Sequence, residues 1–224
     1  MSSASFDYHK SGAKTFTVEE VERSRMLRQT RYNHFDPTLV NERQRCERAL
    51  QRYNYACRLD SGISEDEARN ILWQVLDPSR DNAHPFLAPL KERGVLSHGV
   101  KVEAPFHCTY GYNLKLMDNV YIGKNCTIDD AGKVEIGART WIGPNVTILT
   151  TDVSKDMVDR KGTAGAWIAA PVFIASEVVI GANAVIYPGV RLERGSTVDP
   201  FAVVRESLGE NQIQRAPVGP RIGM

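Results

Sequence analysis

Any chemistry in this chain has to be assigned with few histidines. There are five, His9, His34, His84, His98 and His107, and the 117 residues after His107 contain none. A reaction placed in the C-terminal half is therefore expected to work without a local imidazole. Four cysteines, Cys46, Cys57, Cys108 and Cys126, show no CxxC and no metal-ligand spacing. They read as reduced, buried thiols of a cytoplasmic protein, with no metal site expected. In that compartment the Asn125-Cys126-Thr127 and Asn145-Val146-Thr147 sequons carry no glycan.

Charge narrows the partners. Lysine and arginine number 28 against 27 acidic residues, for a formal net charge of +1 and a pI near 7.7. Such a balance gives no electrostatic case for nucleic acid or for an anionic membrane surface. No run of about 18 apolar residues suggests a membrane span. The opening MSSASFDYHKSGAK lacks the apolar stretch of a secretory signal. Hydrophobic residues make up 42% of the 224, enough for an ordinary packed core.

The elements that must position functional groups follow two different rules. Residues 1–16 are polar and read as a mobile tail. Thr17 with Glu20 and Ser64 with Glu67 fit capping boxes, and Asp36-Pro37 suits the start of a helix. Apolar spacing then predicts helices over 18–30, 37–54 and 65–76. Residues 77–99, with Pro78, Pro85, Pro89 and Gly94, read as a connecting loop completing a 17–99 helical segment.

From about residue 100 the period becomes six. Leu116, Ile122 and Ile128 form one series, Ile136, Ile142 and Ile148 a second. Ile174, Ile180, Ile186, Leu192, Val198 and Val204 form a third. Four residues after most anchors stands a small or slender group: Cys126, Thr140, Val146, Val178, Ala184, Val190, Ser196 or Ala202. One inward aliphatic anchor every six residues suits a coil with three short flat sides, buried only against its neighbours. The predicted fold is mainly β, a left-handed parallel β-helix over 100–209 behind an N-terminal helical segment, with 210–224 as a C-terminal tail. Two extra residues between Ile128 and Ile136 predict a bulge. Residues 150–171 predict an excursion out of the coil, where a loop can line a pocket.

These features resemble the maltose and galactoside O-acetyltransferases. Residues 25–54, RMLRQTRYNHFDPTLVNERQRCERALQRYN, are similar to the family's helical segment. Residues 105–130 resemble its entry into the β-helix, above all at Tyr110, Gly111 and Asn113. Gly143-Pro144-Asn145-Val146 and Pro188-Gly189-Val190 match further phrases, so the likeness runs over about 20–208. It implies a homotrimer with pockets between adjacent coils, acetyl-CoA or another acyl-CoA as donor, and a small-molecule acceptor. Gly181 and Arg205 would lie along the donor groove.

Transfer to a hydroxyl needs a general base to take its proton as it attacks the thioester. The family's histidine falls, by register from Gly143, on Val153, which cannot accept a proton. Other family positions differ too, at Gly123, Thr109, Val179, Arg205-Glu206 and the closing RAPVGPR. The polar residues remaining in the implied pocket are Asp130, Asp152, Asp129 and Tyr110 as catalytic candidates, and Arg43, Asn125, Lys124, Arg160 and Trp167 as binding candidates. Adjacent strand residues point opposite ways, so only one of Asp129 and Asp130 is expected to face a given pocket. Three functions stay open: acyl transfer without the usual histidine, to a hydroxyl or an amine; CoA-independent acid–base chemistry by Asp and Tyr; or non-catalytic binding.

Overall fold

A computed structural model describes residues 18–81 and 93–217. The expected N-terminal tail, the Thr17–Glu20 box and part of the connecting loop lie outside the described residues. Three helices come first: α1 (Val18–Leu27), α2 (Pro37–Ala56) and α3 (Glu65–Leu76). Asp36 caps α2 by accepting from the Thr38 amide, with Pro37 in the first turn. Ser64 and Glu67 close a capping box at α3. Helix α1 stops short of the predicted residue 30, and Gln29 takes a positive φ of 59°.

The rest is a three-sided parallel coil. Its anchors stack in columns, each residue paired with the one a coil away: Leu96, Leu116, Ile136, Ile174 and Leu192 on one side. Val102, Ile122, Ile142, Ile180 and Val198 make the second. Cys108, Ile128, Ile148, Ile186 and Val204 make the third. Every hexad anchor named from the sequence is buried, as are the eight small residues that follow them. Burial of one such aliphatic side chain contributes about 1.5–3 kcal/mol, and a solenoid sums that benefit coil by coil.

The coils approach so closely that Gly181 has no room for a side chain. A Cβ there would sit 2.4 Å from the Pro200 nitrogen. Ile136 pairs directly with Ile174, so the excursion between them leaves the coil's pairing intact. It forms a hairpin, Thr151–Val153 antiparallel to Trp167–Ala169. Strand Val95–Leu96 lies inside the expected connecting loop, and Ile213–Gln214 inside the expected tail. Leu96 begins the same six-residue step as Val102 and Cys108, whereas Ile213 lies off the step of the third series.

Helices α2 and α3 close the first end of the coil. Cys46, Ala49, Leu50, Tyr53, Leu72, Val75 and Leu76 join the core through Leu96, Val100, Phe106 and Cys108. Phe106–Cys108 is an edge strand, and Asn54 satisfies its exposed backbone in both directions: Nδ2 donates to the Phe106 carbonyl at 3.0 Å, and Oδ1 accepts from the Phe106 amide at 2.9 Å. Of the four cysteines, Cys46, Cys108 and Cys126 are buried thiols, but Cys57 is exposed because it sits at the end of α2. Among the described residues no helix is long and apolar enough to cross a membrane.

Replacing Ile180, fully buried mid-column, with Asp places an unpaired charge in the core. The expected cost is on the order of 4 kcal/mol. A thermal or urea melt checks it, and an unchanged transition would be incompatible with this coil.

Candidate functional site

The bulge between Ile128 and Ile136 organises one corner of the molecule. Because Asp129 and Asp130 follow the strand Cys126–Ile128 rather than belonging to it, strand alternation does not separate them. Both bond the same segment, Asp130 from full burial and Asp129 from a partly exposed position. Asp130 Oδ1 accepts from the Thr109 amide at 2.9 Å and the Tyr110 amide at 2.7 Å, while Asp129 Oδ1 accepts from Thr109 Oγ1 at 3.2 Å. Asp129 Oδ2 accepts from the Thr151 amide at 2.9 Å and from Thr151 Oγ1 at 2.5 Å. One carboxylate therefore fixes the tyrosine turn, and the other ties that turn to the base of the excursion hairpin.

Tyr110, held in this way, is fully buried and its hydroxyl accepts from Arg43 Nη1 at 2.8 Å. The guanidinium also lies 5.8 Å from the ring centre. Arg45, two residues further along α2, is buried and donates to the Val75 carbonyl at 3.0 Å and the Tyr110 carbonyl at 2.8 Å. It satisfies end-of-helix carbonyls of α3 and seats the turn at once. Gly111 must be glycine: its φ is +80°, and a Cβ would meet the Val75 oxygen at 2.2 Å.

The hairpin folds back over the chain that leads into α2. Tyr32 and Trp167 exchange two backbone hydrogen bonds, both 3.0 Å. The Trp167 indole stacks on the His34 ring at 4.0 Å between centres and 15° between planes, with Phe35 edge-on to the imidazole at 5.0 Å. Met26, Tyr32, Leu39, Tyr110, Tyr112, Ala131 and Ala169 form a small second core beneath this corner. Glu42 enters that core, accepting from the Tyr112 hydroxyl at 2.6 Å and pairing with Arg23.

Several polar atoms here are buried without a hydrogen-bond partner among the described residues: Tyr32 Oη, His34 Nδ1 and Asp130 Oδ2. Groups left in that condition carry an uncompensated desolvation cost, and three of them fall in this one corner. Burial pushes the Asp130 carboxyl up to about 6, against the pull of its backbone donors. Burial also drives the Tyr110 hydroxyl up to about 12 and lowers His34 to about 4, with Arg43 lowering it further and Asp129 opposing. At neutral pH the imidazole is uncharged.

The remaining sequence candidates are spread more widely. Asp152 is exposed on the hairpin and accepts from the Val153 amide beside it, at 2.8 Å. Arg160 is exposed on the excursion. Lys124 and Asn125 form an exposed coil corner, where Asn125 adopts φ 58° like Asn119, Asn145, Asn183 and Asn211 at other corners. That repetition explains Asn125 as a turn residue, since asparagine tolerates the left-handed region. Gly181 is accounted for by packing under Pro200. Arg205 lies exposed over the Tyr187 ring, 4.6 Å from its centre. Among the described residues no group of three or more metal-ligating side chains occurs.

His34 is the residue sequence reasoning missed. It lies in the helical segment, far in sequence from the coil, and only the fold-back of the hairpin brings it to this corner. The signal available was the Asn33-His34 step just before the Asp36-Pro37 cap.

For Asp130, whose carboxyl is raised from 3.8 to about 6, the folded state retains a proton that the unfolded chain has released between those pH values. Its contribution to stability therefore falls as pH rises through that window. Asp130→Asn keeps an acceptor for both amides and removes the buried charge. It is expected to exceed the wild type by on the order of 2 kcal/mol at pH 7 and to match it below pH 4. Thermal melts across pH 4–7 check this; a variant less stable than wild type at pH 7 would refute it.

Comparison with known proteins places this corner in a wider context. A family profile described as the maltose acetyltransferase hexapeptide capping motif matches residues 25–78, and one described as the hexapeptide repeat of succinyl-transferase matches 171–199. The chain is 32% identical over 173 residues to nodulation protein L of Rhizobium meliloti, covering 77% of this chain and 82% of that protein. It shares a TM-score of 0.72 and 26% identity with a maltose O-acetyltransferase from Clostridium difficile 630, over 86% and 90% of the two chains. A galactoside acetyltransferase solved with coenzyme A has the same fold, with a TM-score of 0.70 at 24% identity over 86% and 84%. The capping-motif and hexapeptide-repeat profiles match in that order along the chain, a relative is 32% identical over most of both proteins, and this chain belongs to the hexapeptide-repeat acetyltransferases with a maltose acetyltransferase-type capping segment.

Proposed function

We propose that the protein transfers an acyl group from a CoA thioester, acetyl-CoA first, to a hydroxyl or amine of a small polar molecule. The observation that carries this reading is the polar corner itself: Arg43 and Tyr110, hydrogen-bonded to each other, converge with unpartnered Tyr32 Oη and Asp130 Oδ2 beside an excursion from an acetyltransferase-type coil. A sugar-like acceptor, dense in hydroxyls, is the kind of ligand that satisfies such atoms. Arg43 and Tyr110 would bind and orient it, and Trp167 would cover it. Asp152, exposed on the hairpin, and Arg160 and Lys124, exposed nearby in the sequence of the coil and its excursion, are available for contacts to acceptor or donor. Asp129 and Asp130 serve by holding the turn and hairpin in place.

The donor finds a fit at Arg205. Its exposed guanidinium over Tyr187 offers the charge-assisted contact that a CoA phosphate takes. When bound, the thioester supplies the activated acyl group; the protein's part is to align an acceptor oxygen or nitrogen with it.

We also propose a cytoplasmic homotrimer. On the second face of the coil the outward residues Tyr121, Trp141, Val179, Thr197 and Ile213 stand in register. Trp141 is 43%, Val179 41% and Ile213 52% exposed, and Tyr121 stacks on Trp141 at 5.9 Å. An apolar row of this kind is covered economically when copies pack around a threefold axis.

Calorimetry is expected to show acetyl-CoA binding, with Arg205→Ala weakening it about tenfold, or about 1.4 kcal/mol. A thiol-release assay over sugars and amines identifies the acceptor class. Absence of acetyl-CoA binding, with a different small molecule retained by the purified protein, would instead favour CoA-independent chemistry. Light scattering is expected to give about three times the 25.0 kDa chain mass; a 25 kDa species at micromolar concentration would rule out the trimer.

A further inference from the structure

The acyl transfer proposed above requires a proton acceptor, and four observations converge on one residue. His34 Nδ1 is buried and has no hydrogen-bond partner among the described residues. The ring is clamped at 4.0 Å on Trp167 and edge-on to Phe35 at 5.0 Å, so its orientation is set before any ligand arrives. Trp167 stands directly across the hairpin from Val153, and cross-strand partners project from the same face. The imidazole therefore occupies the face of the hairpin onto which residue 153 also projects. Finally, Arg43 and Asp129, the two charged groups acting on the ring, belong to the polar corner already described.

From this geometry we infer that His34 is the general base of the transfer, delivered from the helical segment by the fold-back of the excursion hairpin. This rests on the acyl-transfer reading. The step balances without any further reactant. As the acceptor oxygen or nitrogen forms its bond to the thioester carbonyl carbon, its proton passes to the free imidazole nitrogen. Collapse of the tetrahedral intermediate breaks the carbon–sulfur bond, and the departing CoA sulfur takes the proton back, leaving acylated acceptor, free thiol and neutral imidazole. Trp167 acts as a positioning residue. Asp129 is placed to favour the transient imidazolium, since its charge opposes the lowering effect of Arg43.

The test uses full-length protein, acetyl-CoA and the best acceptor from the sugar and amine series. His34→Gln is expected to lower kcat by about 10²–10⁴-fold, with acetyl-CoA affinity and the thermal transition unchanged. His34→Ala is expected to lose turnover and to regain part of it when free imidazole is added, which a purely structural histidine would not allow. His98→Gln, at an exposed position on the coil, serves as the control with wild-type turnover. Turnover surviving His34→Gln, or lost from His34→Ala and not returned by imidazole, overturns the assignment. So does a wild type that binds acetyl-CoA but releases no thiol with any acceptor. A wild type that fails to bind acetyl-CoA overturns the acyl-transfer reading itself.

Discussion

The bonds made by Asp129 and Asp130 at the coil's bulged corner are the constraint on which the site depends. Asp130 organises the backbone of Thr109 and Tyr110, which aims the Tyr110 hydroxyl at Arg43. Asp129 holds Thr151 at the root of the excursion, which sends Trp167 back onto His34. Three segments distant in sequence are thus registered to one another by two adjacent carboxylates. Burying carboxylates is costly, and here the cost is offset by amide and hydroxyl donors instead of by ion pairs.

The coil supplies the rigid frame for that corner. Its anchors stack column on column, so each coil is buried only once its neighbours are in place, and the terminal coil needs a cover. Helices α2 and α3 provide it with apolar faces, while Asn54 and Arg45 meet the polar requirements of the covered end. The same helix α2 that caps the coil carries Arg43 into the site. Structural capping and the geometry of this corner are therefore coupled: a change that loosens α2 from Phe106 and Cys108 would also displace the guanidinium from Tyr110.

A histidine need not lie on the coil to serve a reaction beside it. His34 is set by stacking, and stacking against a hairpin is sensitive to the hairpin's own anchorage. On the proposed reading, the hairpin that would cover the acceptor also fixes the ring that would deprotonate it. The uncharged state of that ring follows from burial and from the nearby Arg43.

The amino-acid sequence determined the fold. A strict six-residue step is a local, repeated pattern, and the capping chemistry at Asp36 and Ser64 is local as well, so both could be read without coordinates. The position of the excursion was equally legible, since it is where the step fails. What only the tertiary structure decided was the composition of the site. Asp129 and Asp130 act on the same segment because they lie past the end of a strand, where alternation no longer governs direction. Asn125 is a corner residue because its backbone is left-handed. His34 reaches the site through two backbone hydrogen bonds and a ring stack, joining residues more than a hundred positions apart. Periodicity records which side of an element faces inward, but it carries no information about which distant side chains meet when a loop folds back.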